Sequence, residues 1–209
     1  MACPAGRQEG RVMSTTWRAL LLDQLEFYWA VHLQPRLEGL SDEEYFWEPV
    51  AGCWSLRPAE NGRYTLDGLR PEPSPPPVTT IAWRLVHVGA LCLANRASAF
   101  FGGERAPRGV DMFDPRHVPT DLPGSAAQAV VFLEEAYQAW HDGVATLSDA
   151  DLQRPLGAKG GPFAADPMAG LILHINREVM HHGGELGLLR DLYRATGSTS
   201  RRSRLVATP

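Results

Sequence analysis

The segment from Leu173 to Glu185 concentrates side chains that bind metals or exchange protons: His174, Glu178, His181, His182 and Glu185. Read as a helix at about 100° per residue, these fall within a sector of roughly 100°. Residues i and i+4 are neighbours on a helix surface, so Glu178 and His182 can address the same atom. Leu171, Ile172, Ile175, Val179, Leu186 and Leu189 occupy adjacent positions, so the face borders a core rather than standing wholly in water. Burying carboxylates and imidazoles is costly unless each is paired or bound to a metal. The pattern predicts a metal site built inside a helical bundle.

A divalent transition metal draws three or four ligands from more than one element. Glu178 and His182 supply two, and His87 is the best candidate for the third. It falls in the middle of another apolar helix, among Trp83, Leu85, Val86 and Leu91. Two imidazoles and one carboxylate leave coordination positions open, as in catalytic rather than structural sites. His174, His181 and Glu185 flank these ligands and would orient them by hydrogen bonding. Plainer readings stand beside these: His87 as a hydrogen-bonded core histidine, and Glu178 with His182 as a surface pair. His32 and His141 lack comparable company and read as surface or core residues. Trp17, Trp29, Trp83 and Trp140 read as core.

The elements that must position these groups are helices. The first runs from about Thr15 to Leu37, with Thr15 or Thr16 as its N-cap. Ser41-Asp42-Glu43-Glu44 has capping-box spacing and opens a short helical turn. From Pro49 to Pro77 prolines and glycines leave little room for regular structure, although Trp54 suggests that part of this loop packs on the body. A loop of this length in a compact domain is usually functional or mobile. Thr79-Thr80 opens the second helix, which stops at Gly102-Gly103. Ser125 opens the third, which ends near Leu147. Asp166-Pro167 reads as N-cap and first residue of the fourth, which runs to about Arg194. No strand pattern and no internal repeat emerges. The organisation is an N-terminal tail (1–14), an all-α four-helix bundle with long connecting loops (15–195), and a disordered Ser- and Arg-rich tail (196–209). Met13 is an alternative start to Met1.

Composition narrows the function classes. The chain of 209 residues is 44% hydrophobic and 21% charged, an ordinary balance for one domain with a real core. Its formal net charge is −4 with no basic stripe, which argues against a nucleic-acid partner. Cys3, Cys53 and Cys92 are odd in number and far apart, so they predict neither a disulfide framework nor a zinc ribbon. No apolar run is long enough to span a bilayer, and the N-terminus lacks the apolar region of a signal peptide. A cytoplasmic protein is the expectation.

Several blocks resemble the DinB/YfiT-like superfamily, and specifically its actinobacterial DinB-type members. They are Leu40 to Pro49, Cys53-Trp54-Ser55, Thr80 to His87, Asn95 to Ser98 with Phe101-Gly102, His174 to Glu178, His181 to Glu185, and Leu188 to Tyr193. The resemblance covers most of the chain from about Trp17 to Arg194. It implies a four-helix bundle whose metal is held by one residue of the second helix and two of the last. Many members use three histidines; here Glu178 stands at the first position of the last pair. That variant is similar to the mycothiol-dependent maleylpyruvate isomerases, whose bundle binds zinc through two histidines and a glutamate, although this chain lacks their C-terminal domain. Bacillithiol transferases and the bundle domain of ergothioneine-type sulfoxide synthases are similar folds.

The resemblance therefore implies a divalent metal, most readily zinc but also iron, nickel or manganese, at His87, Glu178 and His182. With it comes a mycothiol-type thiol as cosubstrate. The expected activity is thiol-dependent S-transfer or isomerisation of a small electrophile. Arg96 and Arg177 would contact carboxylates of thiol or substrate, or else make internal salt bridges. The rivals are a metal-dependent hydrolase and a non-catalytic, stress-associated metal-binding bundle, with a homodimer compatible with either.

Overall fold

The computed structural model describes residues 16–68, 71 and 73–206, with side chains described as far as residue 196. The expected tail over 1–14 and the choice between Met1 and Met13 lie outside the described residues.

The first long helix, α1, is α-helical over Trp17–Tyr28, π-helical over Trp29–Leu33 and α-helical again over Gln34–Leu37. Thr16 caps it, its hydroxyl accepting from the Ala19 amide at 3.3 Å. The turn α2 (Asp42–Tyr45) is capped by Ser41, which accepts from the Glu44 amide at 3.2 Å. The second long helix, α3, runs α-helical over Ile81–Val86, π-helical over His87–Ala94 and α-helical over Asn95–Phe101. Thr80 caps it by accepting from the Trp83 amide at 3.2 Å. The third, α4, spans Ala126–Ala145 under a Ser125 cap, and the turn α5 spans Asp149–Leu152.

Three expectations of the secondary structure need correction. The Pro49–Pro77 loop contains an antiparallel hairpin, β1 (Leu56–Pro58) and β2 (Tyr64–Leu66), with Leu56 opposite Leu66. Three residues per strand are too few for alternation to register, and Gly62 supplies the left-handed turn residue at φ 76°. The fourth long helix, α6, spans Met168–Val206. Pro167 stays outside it, bridged to Pro155, and the helical backbone continues beyond Arg194 into the segment read as disordered. Residues 207–209 lie outside the described residues. Trp17, read as core, is 66% exposed at the first position of α1.

The four long helices enclose one apolar core. Leu25 and Leu33 come from α1, Leu85 and Leu93 from α3, Leu133 and Trp140 from α4, and Ile175, Val179 and Leu186 from α6. The fold is the all-α bundle read from the sequence. Gly183, inside the His-His-Gly-Gly motif, has a packing role: a Cβ there would lie 2.5 Å from the Tyr28 hydroxyl, so α6 can approach α1 this closely only with glycine. Asn176 reinforces that seam by donating to the Leu21 carbonyl at 2.9 Å and to Gln24 Oε1 at 3.1 Å.

The capping box expected at Ser41 is half formed, because Glu44 is used elsewhere. Its carboxylate accepts from Arg190 Nε at 2.7 Å and Arg190 Nη2 at 2.9 Å, a bidentate pair with Arg190 1% and Glu44 4% exposed. Arg190 Nη1 also donates to the carbonyls of Arg36 and Glu38. A fully paired buried ion pair is not by itself strong stabilisation, but removing one partner strands the other charge at a cost of about 3–5 kcal/mol. Arg190→Met should therefore lower the unfolding free energy by that amount in urea titrations. Adding Glu44→Leu should recover much of it. A loss within about 0.5 kcal/mol, the size of an ordinary surface substitution, would show that this pair does not hold α6.

Candidate metal centre

The candidate residues meet where α3 and α6 pack together. Between His87 and Ala94, α3 is π-helical, a rare i→i+5 pattern found mostly at functional sites. Its first residue, His87, stacks on Trp83 with centroids 4.8 Å apart and planes at 9°. This presents His87 Nε2 to Glu178 Oε2 of α6 at 3.9 Å. One turn along α6, His182 Nε2 lies 3.2 Å from the same Glu178 oxygen, and the two imidazoles meet edge to face at 4.7 Å. The structure thus brings His87, Glu178 and His182 together around one carboxylate oxygen. Each is partly or largely shielded, with side-chain exposures of 23%, 23% and 10%.

Two groups of potential ligand atoms lie within 4.8 Å of one another: His87 with Cys92 and Glu178, and His181 with His182 and Glu185. Cys92 was not singled out in the sequence, and for a physical reason. Positions five apart on an α-helix diverge by about 140°, so spacing alone separates Cys92 from His87. The π segment brings them to one face, and the only sequence signal was a cysteine in an apolar helix.

Glu185 sets the orientation of His182. Its Oε2 lies 2.7 Å from His182 Nδ1 and 3.1 Å from Arg84 Nε, while Arg84 Nη1 is 3.0 Å from the same Nδ1. Nδ1 can donate to Glu185 or accept from Arg84 but not both, and the shorter contact favours donation to the carboxylate. That directs Nε2 at Glu178 Oε2, 3.2 Å away, with both atoms able to donate an electron pair to a metal ion. His181, 63% exposed in its side chain, reaches Glu185 Oε1 at 3.5 Å from the solvent side. His174 is turned elsewhere: its Nδ1 accepts from Arg177 Nη2 at 2.9 Å and stands 3.6 Å from Glu178 Oε1, outside hydrogen-bond range.

Burial governs the protonation of the cluster. Desolvation first, then the neighbouring His182 and, more weakly, Arg84 push His87 down to about 4 against the opposing pull of Glu178. His87 is neutral at pH 7, with an electron pair to offer. Desolvation and then Glu178 push the Cys92 thiol up to about 12 in the absence of a cation. His174 is lowered by desolvation as well.

Two cavities lie in this region with no lining residue in common, one walled in part by His87 and the other by His174 but by none of the converging ligands. One of about 540 Å³ is bounded by the proline-rich loop and α3, including Trp54, Asp67, Trp83 and His87. The other, about 600 Å³, lies at the start of α6, with Arg96, Met112, Phe113, Phe163, His174 and Arg177 in its wall. Arg96 and Arg177, read from the sequence as substrate contacts, thus line the same chamber. Arg96 is 8% exposed, donates Nη1 to the Met112 carbonyl at 2.8 Å and stacks over Phe113, and its buried Nε has no hydrogen-bond partner. A larger cavity of about 810 Å³, lined by Ala97, Ser98 and Phe132 among others, holds none of the candidate ligands. Among the described residues no helix is long and apolar enough to cross a membrane.

The sequence profile of the DinB superfamily matches residues 24–186, a span that includes His87, Cys92, Glu178, His182 and Glu185. The chain belongs to that superfamily, a family of helical bundles, and carries groups of residues able to hold a divalent metal. No curated protein and no solved structure matches it.

The buried neutral His87 makes the metal-free protein sensitive to acid. An unfolded histidine titrates near 6.5 and the folded one near 4. Between these values the unfolded chain binds more protons, so stability rises with pH. The contribution is complete above pH 6.5 and is lost as pH falls to about 4, a total on the order of 3 kcal/mol. Urea unfolding of metal-free protein should show the wild type losing about that much more than His87→Gln between pH 7 and pH 4. Parallel losses in the two proteins would contradict a neutral buried His87.

Proposed function

We propose that this chain is a metal-dependent enzyme that uses a low-molecular-weight thiol of the mycothiol type. It would act as an S-transferase or isomerase on a small electrophile. The observation that carries the reading is the convergence of His87 Nε2 and His182 Nε2 on Glu178 Oε2, with His87 in the wall of a cavity. In this reading His87, Glu178 and His182 hold the ion, and zinc suits two imidazoles and a carboxylate. Iron, nickel or manganese would also accept this donor set. A bound ion of this kind supplies a Lewis acid that lowers a thiol pKa, so that thiolate is present at neutral pH.

The chain's own residues then divide the remaining work. Glu185 holds His182 with Nε2 pointing inward, and Arg84 holds Glu185 in place. His181 supports the same carboxylate from outside. His174 and Arg177 form a hydrogen-bonded pair at the mouth of the second chamber. Arg96 and Arg177 bring positive charge to a wall otherwise built from Met112, Phe113 and Phe163, which suits a carboxylate on an apolar body. The thiol enters beside His87 and the electrophile beside Arg96 and Arg177. Cytoplasmic location, and thiol and electrophile as the only partners, complete the proposal. A homodimer is not required by any of these contacts.

Metal analysis of protein purified without added metal should find one divalent ion per chain. Glu178→Ala should lose tight binding yet remain a folded bundle by circular dichroism, because the apolar core supplies most of the stability. Calorimetric titration of a small thiol in buffers of different ionisation enthalpy should show proton release at neutral pH from the metal-loaded protein only. Metal-loaded protein that ignores every thiol tested would sink the thiol-dependent reading and leave water activation or a structural ion. For a carboxylate-bearing electrophile, Arg96→Met or Arg177→Met should raise KM by about tenfold to a hundredfold, the cost of one hydrogen bond to a charged group. An unchanged KM in both variants would remove the second chamber from the substrate path.

A further inference from the structure

We propose that Cys92 is a protein ligand of the ion held at this centre, its thiolate completing the resting coordination sphere with His87, Glu178 and His182. The inference rests on the metal-binding reading above and adds a residue that neither the α-helical spacing nor the histidine motif points to.

Geometry carries it. The Cys92 sulfur lies within 4.8 Å of both the ligand nitrogen of His87 and the carboxylate oxygen of Glu178. A zinc–sulfur bond of about 2.3 Å and zinc–nitrogen or zinc–oxygen bonds of about 2.0–2.2 Å fit a contracted group of these three, and His182, outside that group, joins it through Glu178 Oε2 at 3.2 Å. The backbone supplies the reason that these atoms meet. His87 opens the π-helical segment and Cys92 lies five residues on, the hydrogen-bonding interval of that segment. In an α-helix the two side chains would diverge. The distortion thus converts a histidine and a cysteine on different α-helical faces into a pair of donors on one.

Comparison with the other described cysteine separates this role from packing. Cys53 is also buried, but its thiol donates to the Val50 carbonyl at 2.8 Å, an ordinary local contact. Cys92 makes no hydrogen bond among the described residues and lies among ligand atoms at 5% exposure. A thiolate there suits zinc or cobalt better than magnesium or calcium, since soft donors select borderline metals. On metal binding the thiol proton leaves to solvent and the sulfur keeps the electron pair that forms the bond. His87 lines a cavity, so a centre held there would be within reach of a small molecule.

Cobalt(II) loaded in place of the native ion, with no thiol added, tests this directly. The wild type should show a sulfur-to-cobalt charge-transfer band, and Cys92→Ala and the nearly isosteric Cys92→Ser should lose it while still binding cobalt more weakly. The variant Cys3→Ala/Cys53→Ala should keep the band. Cobalt binding without a band until a small thiol is added would overturn the assignment of Cys92 and leave the thiol-dependent reading standing. A band that survives in Cys92→Ser would also overturn it. Failure of the wild type to bind cobalt at all would overturn both this inference and the metal reading on which it rests.

Discussion

The pairing of Arg190 with Glu44 inside the bundle fixes the register of the last helix, and the candidate site depends on that register. The pair is bidentate and nearly sealed from water, and the remaining guanidinium N–H groups end on carbonyls at the C-terminal end of α1. A helix that slides by one residue turns by about 100°. Such a slip would strand a buried charge and would also turn Glu178 and His182 away from α3. Asn176 and Gly183 act on the same seam nearer the site, one by hydrogen bonds to α1 and the other by allowing contact with Tyr28. Polar lock, close approach and apolar packing therefore specify one placement of α6.

With α6 held, the geometry of the centre is decided by α3. Its apolar sequence from Ile81 to Phe101 would make a plain buried helix, but the segment His87–Ala94 is π-helical. Gly89, within that segment, faces Phe132 of α4, where a Cβ would meet the ring at 2.7 Å. A bulged backbone occupies more width, and a residue without a side chain lets it lie against the neighbouring helix. The proline-rich loop braces the start of the same helix. The Trp83 indole N–H donates to the Asp67 carbonyl at 2.8 Å, and Trp54 packs on the Trp83 ring. Because His87 stacks on Trp83, the loop positions the histidine through one aromatic side chain.

Much of this arrangement was legible in the sequence, and what escaped did so for identifiable reasons. The long helices and the caps at Thr16, Ser41, Thr80 and Ser125 follow from apolar periodicity and side chains that accept from the first-turn amides. The meeting of His87, Glu178 and His182 follows from i, i+4 spacing and an imidazole set in an apolar helix. Cys92 escaped because periodicity arguments assume 3.6 residues per turn, and α3 departs from that at the site itself. Arg190 escaped because its partner belongs to a distant turn, and Glu44 was assigned to a local capping box that it does not complete. The hairpin escaped because it is too short to carry a pattern. His174 was placed correctly on the helix face, yet Arg177 one turn away holds its Nδ1.

Charge balance connects the resting centre to the proposed chemistry. Two neutral imidazoles, the Glu178 carboxylate and a Cys92 thiolate would bring a divalent ion to net zero. A further thiolate entering that sphere adds a negative charge in a partly buried place, where uncompensated charge is costly. A positive side chain close to the cysteine would offset part of that added charge. Arg96 is so placed, since its positive charge acts on Cys92 from the next turn of α3 while its side chain lines the second chamber. The same guanidinium would thus act on both the Cys92 sulfur and a carboxylate held in the second chamber.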